Sequence, residues 1–177
     1  PPPGAFLQAT AEGEAALLQS VALAIGSARK ITDLFAGVGT FALPLAERAE
    51  VHAVEGEAAM TAALTKGANT TEGLKRITVE TRDLFRRPLE PDEFKGVEAV
   101  VIDPPRAGAE AQMAVLAQAK VPVIAAVSCN PVTFARDAKT LIAGGYVLDW
   151  VQVVDQFRWS AHIELVARFS RPSPQTM

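Results

Sequence analysis

Short apolar segments alternate along the chain with longer segments whose apolar residues recur at helical spacing. This alternation predicts strands that are each followed by a helix. Strands are expected over 31–35, 51–54, 77–81, 99–102, 121–127, 146–155 and 162–169. Helices are expected over 11–28, 41–48, 58–68, 109–119 and 132–143. Because buried strands that alternate with helices build a parallel sheet covered on both faces, the pattern predicts an α/β fold.

The last two predicted strands break this alternation. About six residues separate them, which is too few for a crossover helix, so this pair should be antiparallel. We therefore expect a mostly parallel, seven-stranded sheet with helices on both faces and an antiparallel last strand. The predicted domain covers 1–170, and 171–177 is expected to be a flexible tail.

Composition narrows the class of protein. The 177 residues suffice for one domain with a buried core. A single cysteine excludes a disulfide framework within the chain and any site built from several cysteines. No apolar run reaches the roughly 18 residues of a membrane span and no signal-peptide pattern occurs, so a cytoplasmic protein with no membrane partner is expected. The net charge of −3 and the pI near 5.5 argue against a stand-alone nucleic-acid-binding module.

The ends of the first two predicted strands carry a nucleotide-binding pattern. Gly37, Gly39 and Ala42 follow the first strand in the arrangement G-x-G-x-x-G/A, which also occurs in ordinary tight turns. Glu55 ends the second strand 18 positions after Gly37, and a carboxylate at this distance accepts hydrogen bonds from ribose hydroxyls. A solvent-facing carboxylate is the alternative. Nicotinamide enzymes and S-adenosylmethionine enzymes share these features.

The third and fourth strand ends each present a carboxylate. Asp83 could accept a hydrogen bond from an adenine amino group with Phe85 beside the ring, or it could cap a turn. Asp103 precedes Pro104 and Pro105, which cannot continue a strand and therefore stiffen the loop. Methyltransferases that act on planar nitrogen heterocycles commonly carry such a loop, whereas a nicotinamide enzyme has no need of it.

The fifth strand ends at Cys129, and Glu164 lies near the start of the last strand. The start of a helix beside a crevice favours a thiolate, so Cys129 is a candidate nucleophile, with a small buried side chain as the alternative. An antiparallel last strand could bring Glu164 to the same rim as a base, unless it is only a salt-bridged surface group. We expect His162 to be a packed or capping imidazole.

Taken together, these motifs resemble the catalytic domain of the RNA 5-methyluridine, or uracil-5, methyltransferases, which are class I S-adenosylmethionine-dependent enzymes with a Rossmann-like fold. The resemblance rests on 6–8, 33–44, 54–56, 103–106, 128–131, 136–137, 155–157 and 162–164, in family order. Thr10 stands where the family usually has Asn, and Arg158 stands where it often has Pro. The missing initiator Met agrees with a piece of a longer protein, since family members carry an N-terminal RNA-binding region.

The resemblance implies a role for each matching position. The cofactor S-adenosylmethionine would contact Gln8, Asp33, Phe35, Gly37, Gly39, Thr40, Glu55, Asp83 and Asp103. Cys129 would be the nucleophile and Glu164 the base, and no metal would be needed. Substrate would contact Asp103, Arg106 and Arg136, where the two arginines could meet phosphates or could simply be solvated helix and loop ends.

The implied activity is methylation of carbon 5 of a uridine in tRNA or rRNA through a covalent cysteine adduct. RNA would be the partner, held largely by the absent N-terminal region. Two alternatives stay open from the sequence. The chain could be a nicotinamide-dependent oxidoreductase, or it could be a cofactor-binding fragment that is inactive without its RNA-binding region.

Overall fold

The computed structural model describes residues 11–154 and 163–172. Its helices are α1 (Ala11–Ile25), α2 (Ala42–Leu45), α3 (Ala58–Thr70), α4 (Glu110–Ala119) and α5 (Pro131–Ala143), with a 3₁₀ helix at Pro91–Phe94. Its strands are β1 (Lys30–Leu34), β2 (Glu50–Glu55), β3 (Ile77–Thr81), β4 (Ala99–Ile102), β5 (Val123–Ser128), β6 (Val147–Val154) and β7 (Glu164–Ser170). Within this part of the chain, no helix has both the length and the hydropathy needed to cross a bilayer.

The strands form one sheet in the order β3-β2-β1-β4-β5-β7-β6. The first five strands pair in parallel, and β7 runs antiparallel to both β5 and β6. This confirms the predicted seven-stranded, mostly parallel sheet with an antiparallel last strand. Strand order reverses between β1 and β4, which places a crevice at the carboxyl ends of these strands.

Two apolar clusters cover the two faces of the sheet. Successive residues of β4 alternate between them, with Val101 packing in the cluster that contains α1 and Val100 in the cluster that contains α4 and α5. All four residues of β4 are buried, as expected for a central strand with helices on both sides. The core therefore holds the carboxyl ends of the central strands rigidly at one edge of the sheet.

Several element boundaries differ from the sequence predictions for local reasons. Helix α1 ends at Ile25 because Gly26 adopts a left-handed φ of 58°, a common helix ending. Helix α2 ends earlier than predicted. The Glu47 and Arg48 N–H groups donate to carbonyl oxygens three residues before them, which tightens the chain into turns. The predicted end of the first strand, Phe35, turns instead at a φ of 60°. Asp155 and His162, at the predicted ends of the last two strands, lie outside the described residues.

Candidate functional site

A cavity of about 680 Å³ opens at the carboxyl ends of the central strands. Its wall includes nine of the predicted site residues, namely Phe35, Gly37, Thr40, Glu55, Asp83, Asp103, Arg106, Cys129 and Glu164. Asp33, Gly39 and Arg136 are not among its lining residues, and Gln8 lies outside the described residues. The volume is typical of a pocket for a small organic ligand.

The glycine loop after β1 reverses the chain over the cavity. Gly37 has a φ of 56°, and a Cβ placed there would meet no described atom within 4 Å. Gly39 has a φ of 97°, and its Cβ would lie 3.0 Å from Leu43 Cγ and 3.1 Å from Leu64 Cγ. The two glycines therefore have different functions, since Gly37 exposes backbone at the cavity wall whereas Gly39 allows α2 and α3 to pack closely.

Glu55 connects the end of β2 to the glycine loop. Its Oε2 accepts a hydrogen bond from the Gly37 N–H at 3.0 Å, and its Oε1 accepts one from the Glu57 N–H at 2.9 Å. An ionised carboxylate has about four acceptor positions, so both oxygens can still accept a further hydrogen bond. The predicted contact with ribose hydroxyls is therefore compatible with this geometry.

Asp83 and Phe85 form the wall beside β3. Asp83 Oδ1 accepts hydrogen bonds from the Phe85 N–H at 3.0 Å and the Arg86 N–H at 3.3 Å, so this carboxylate caps a turn. The Phe85 side chain is exposed, and its ring lies tilted against that of Phe35 with centroids 5.3 Å apart. This aromatic pair gives the cavity an apolar wall on which a planar ring could pack.

Asp33 is fully buried and lies outside the cavity wall. Neither carboxylate oxygen meets hydrogen-bond geometry with a described residue, although the Ala42 N–H lies near enough to lower the pKa somewhat. Burial first, and then the charges of Asp103 and Glu55, raise the pKa of Asp33 well above its usual value. Asp33 therefore lies in the protein interior near the start of α2, and its predicted cofactor contact stays a prediction.

Cys129 and Glu164 approach each other across β5 and β7. The antiparallel register pairs Ser128 with Leu165, so Cys129 and Glu164 each lie one residue beyond that pair at the same end of the sheet. Burial raises the pKa of Glu164, which is buried at 6% exposure. Asp103 lines the same wall, and burial followed by the charge of Glu164 raises its pKa to about 7.

The expectation that the fold favours a thiolate at Cys129 is wrong for this form of the site. Burial, followed by the negative charges of Glu164 and Asp103, raises the pKa of the Cys129 thiol, and the positive charge of Arg106 only partly offsets them. Desolvation and two nearby carboxylates therefore act against ionisation of this thiol, although it lies just before the start of α5. The sequence could not show this because it does not reveal how closely the three strand ends meet.

Arg106 and Arg136 have different surroundings. Arg106 lines the cavity, whereas the Arg136 guanidinium bonds to Asp137 Oδ1 and to the Ala107 carbonyl oxygen. The predicted contact of Arg136 with substrate stays a prediction. Sequence reasoning also missed Met60, which lines the cavity from α3. Met60 follows soon after Glu55 in the sequence, and this closeness to a predicted site residue could have identified it.

The sheet order with its antiparallel last strand is that of the class I methyltransferase fold. The family model for tRNA (uracil-5-)-methyltransferases matches residues 2–171, and the chain belongs to this family. It is 55% identical over 171 residues to an uncharacterized RNA methyltransferase of Mesorhizobium japonicum, covering 97% of this chain and 42% of that protein.

Two further comparisons relate the chain to proteins with named targets. It is 38% identical to the 23S rRNA (uracil(1939)-C(5))-methyltransferase of Chromohalobacter salexigens, over 98% of this chain and 36% of that protein. The crystal structure of the Pyrococcus abyssi tRNA (uracil-54, C5)-methyltransferase in complex with S-adenosyl-L-homocysteine matches with a TM-score of 0.81 and 30% identity. That match covers 94% of this chain and 40% of the other. The chain thus spans about two fifths of the length of the relatives that it matches.

Proposed function

We propose that this chain carries the catalytic site of an enzyme that methylates carbon 5 of a uridine in RNA, with S-adenosylmethionine as methyl donor. The observation that carries the proposal is the meeting of Cys129 and Glu164 on the wall of a cavity that also contains Asp103. The names of two relatives support it, since one acts on a uracil of 23S rRNA and the other on a uracil of tRNA.

The described residues fit the methyl donor. The rings of Phe35 and Phe85 offer an apolar surface for adenine, and Glu55 offers acceptors for ribose hydroxyls. Gly37 leaves the loop backbone open to close approach, and Asp103 places a carboxylate where a positive charge would be attracted. When bound, S-adenosylmethionine supplies an electrophilic methyl group on a positively charged sulfur.

Two further side chains of the cavity wall, Cys129 and Glu164, are the ones that uracil methylation needs. Carbon 5 of uracil is too weak a nucleophile to take a methyl group directly. Addition of the Cys129 thiolate to carbon 6 forms a sulfur–carbon bond and moves the double-bond electrons into an enolate, which makes carbon 5 nucleophilic. After carbon 5 has gained the methyl group, Glu164 removes the proton from that carbon, and the sulfur–carbon bond breaks to release Cys129.

The raised pKa of Cys129 is compatible with this role. In the free site, burial and two carboxylates favour the thiol. A cation bound beside Asp103 would oppose those negative charges and shift the equilibrium toward thiolate. The thiolate would then form mainly after the methyl donor is bound, so both reactants would be present in the site at the same time.

RNA is the proposed substrate, and the target uridine must leave any duplex before carbon 6 can be reached. The net charge of −3 offers little general attraction to phosphates. We therefore infer that most RNA affinity comes from a part of the parent protein beyond this chain. Membership of a uracil-5 methyltransferase family weighs against the nicotinamide-dependent alternative.

A covalent trap tests the proposal. Full-length protein is incubated with labelled S-adenosylmethionine and RNA that contains 5-fluorouridine, and the product is resolved on a denaturing gel. Fluorine at carbon 5 cannot leave as the proton does, so wild type should form a stable labelled adduct and Cys129→Ala should form none. Absence of the adduct with folded wild-type protein, or its persistence in Cys129→Ala, would overturn the proposal. Weak RNA binding by the 177-residue chain beside tight binding by the full-length protein would locate RNA capture outside this chain.

A further inference from the structure

The loop that follows Asp103 is fastened to the segment that follows Cys129. Its Arg106 carbonyl oxygen accepts a hydrogen bond from Asn130 Nδ2 at 3.0 Å and another from Thr133 Oγ1 at 3.0 Å. Asn130 also caps α5, since its Oδ1 accepts from the Val132 N–H at 3.0 Å. The side chains of Asn130 and Thr133 therefore join the segment after Cys129 to one backbone carbonyl of the loop after Asp103.

Arg136 and Asp137 fasten the same loop one turn further along α5. Asp137 is buried at 3% exposure, and its Oδ2 accepts the Ala109 N–H at 2.8 Å. Its Oδ1 accepts from Arg136 Nε at 2.9 Å and from Arg136 Nη2 at 2.7 Å. Arg136 Nη2 also donates to the Ala107 carbonyl oxygen at 3.1 Å. Adjacent helix residues do not normally face each other, so the Arg136 side chain folds back to make this set of contacts.

Gly108 shows how closely the loop fits against this pair. It has a φ of 76°, and its N–H donates to the Pro105 carbonyl oxygen at 2.8 Å. A Cβ at this position would lie 2.5 Å from Arg136 Nη2 and 2.6 Å from Asp137 Oδ2. The loop can therefore rest on the two side chains only because residue 108 has no side chain.

We propose that Arg136 and Asp137 are positioning residues, which hold the 104–109 loop so that Arg106 faces Cys129 across the cavity. The proposal rests on the proposed function for its kinetic consequences. It assigns Arg136 to the loop rather than to a substrate phosphate. The contacts that carry it are the bonds of Arg136 to the Ala107 carbonyl oxygen and to Asp137, beside an ion pair with Glu110 at 3.6 Å.

The position of the loop should affect the pKa of Cys129. Arg106 is the side chain whose charge lowers the pKa of Cys129, against two carboxylates that raise it. If the loop loosens, Arg106 no longer keeps a fixed position relative to the thiol, whereas Glu164 stays paired with Val154 in the ladder between β6 and β7. The pKa of Cys129 should then rise further.

Alkylation measures the pKa of Cys129 without substrate or cofactor, because Cys129 is the single cysteine of the chain. The rate of reaction with iodoacetamide is followed from pH 6.5 to 10.5, and the midpoint of the profile gives the apparent pKa independently of access. Asp137→Asn and Arg136→Met should each raise the midpoint by about 0.5 to 1 unit, which slows alkylation at pH 7.5 about threefold to tenfold. The matched controls are Asp149→Asn and Arg168→Met, which break a half-buried Arg–Asp pair between β6 and β7 and should not move the midpoint.

Two glycine variants repeat the test without removing a charge. Gly108→Ala and Gly96→Ala impose similar backbone strain, since their φ values are 76° and 77°. A Cβ at Gly96 meets no described atom within 4 Å, whereas one at Gly108 strikes Arg136 and Asp137. Gly108→Ala should shift the alkylation midpoint upward, and Gly96→Ala should leave it at the wild-type value.

Adduct formation by full-length protein separates the two proposals. Wild type that forms no adduct overturns the proposed function, whatever the alkylation profiles show. With active wild type, Arg136→Met should lower kcat about 10-fold to 100-fold with a smaller change in the KM for RNA, because misplacement of reacting groups acts on the chemical step. An unchanged or lowered alkylation midpoint in Asp137→Asn, Arg136→Met and Gly108→Ala would overturn the positioning proposal. A KM increase with unchanged kcat in Arg136→Met would also overturn it, since that result indicates direct RNA binding.

Discussion

Ser128 pairs with Leu165 in the antiparallel ladder between β5 and β7. This pair lies immediately before Cys129 on one strand and immediately after Glu164 on the other. Because β7 is antiparallel to β5, the carboxyl end of β5 and the amino end of β7 lie at the same edge of the sheet. The proposed nucleophile and base thus lie directly beside a paired position of the sheet, which positions them more precisely than a long loop would.

Replacement of Glu164 by Gln should stop turnover after the covalent adduct has formed. The amide cannot take the proton from carbon 5, so the adduct with ordinary uridine RNA should accumulate and turnover should fall about 10²-fold to 10⁴-fold. A denaturing gel with labelled S-adenosylmethionine detects the adduct, and Asp149→Asn serves as the control for loss of a carboxylate elsewhere. Rapid turnover by Glu164→Gln, with no adduct, would exclude Glu164 as the base.

Asp103 should make the chain less stable as pH rises from about 4 to about 7. Its folded pKa is about 7, whereas an unfolded Asp has a pKa near 3.9. Between these values the folded state holds a proton that the unfolded state has lost, so the free energy of unfolding falls by at most about 1.4 kcal/mol per pH unit. The contribution is complete below pH 4 and is lost above pH 7. Urea unfolding of wild type and Asp103→Asn across this range measures it, and identical slopes would contradict the prediction.

The same titration should govern affinity for the methyl donor. A sulfonium cation is attracted to ionised Asp103, and at pH 6 about one tenth of a carboxyl with a pKa of about 7 is ionised. Calorimetry should therefore show binding of S-adenosylmethionine weakening by up to about tenfold from pH 8 to pH 6. Asp103→Asn should bind weakly at both pH values. A wild-type affinity that does not change with pH would show that Asp103 does not sense the ligand charge.

Glu55→Gln should weaken cofactor binding while leaving the fold intact. The amide provides one acceptor oxygen where the carboxylate provides two, so either the Gly37 or the Glu57 N–H loses its partner. We expect S-adenosylmethionine and S-adenosylhomocysteine to bind about tenfold more weakly, at a cost of about 1.4 kcal/mol. Equal loss for both ligands is essential to the prediction, because Glu55 is assigned to the ribose and not to the charged sulfur. Unchanged binding of either ligand would contradict that assignment.

Gly39→Ala should destabilise the fold more than Gly73→Ala. Both glycines have positive φ, 97° and 81°, but only at Gly39 does the added Cβ meet neighbours, namely Leu43 and Leu64. The overpacking adds about 1 to 3 kcal/mol to the backbone strain that the two variants share. Equilibrium urea unfolding measures the difference, and equal destabilisation of the two variants would show that α2 and α3 adjust without cost.

The sequence predicted the sheet because strand periodicity and linker length are local properties. The short connection before Glu164 was enough to indicate an antiparallel pair, and the run of apolar residues in β4 was enough to indicate a central strand. Helix ends were less predictable. The shortness of α2 depends on three-residue hydrogen bonds that no periodicity reports.

Among the site residues, the sequence could predict what lies at a strand tip but not where each side chain points. Gly37 and Gly39 occupy one motif, yet only Gly37 lines the cavity. Arg136 was assigned to substrate because it stands near the rim in sequence, whereas its side chain folds back onto Asp137. The start of a helix beside Cys129 predicts a thiol that ionises readily, whereas burial, followed by the charges of Glu164 and Asp103, raises its pKa.

The acidic wall formed by Asp103 and Glu164 has a consequence for the order of ligand exchange. Methyl transfer would convert a positively charged sulfonium into a neutral thioether, so the spent donor would lose its attraction to these carboxylates while keeping its aromatic and ribose contacts. Under the proposed function, the wall would therefore bind the positively charged donor more strongly than its neutral product. Each turnover would itself loosen the product, and replacement by a new cation would be favoured without any rearrangement of the sheet.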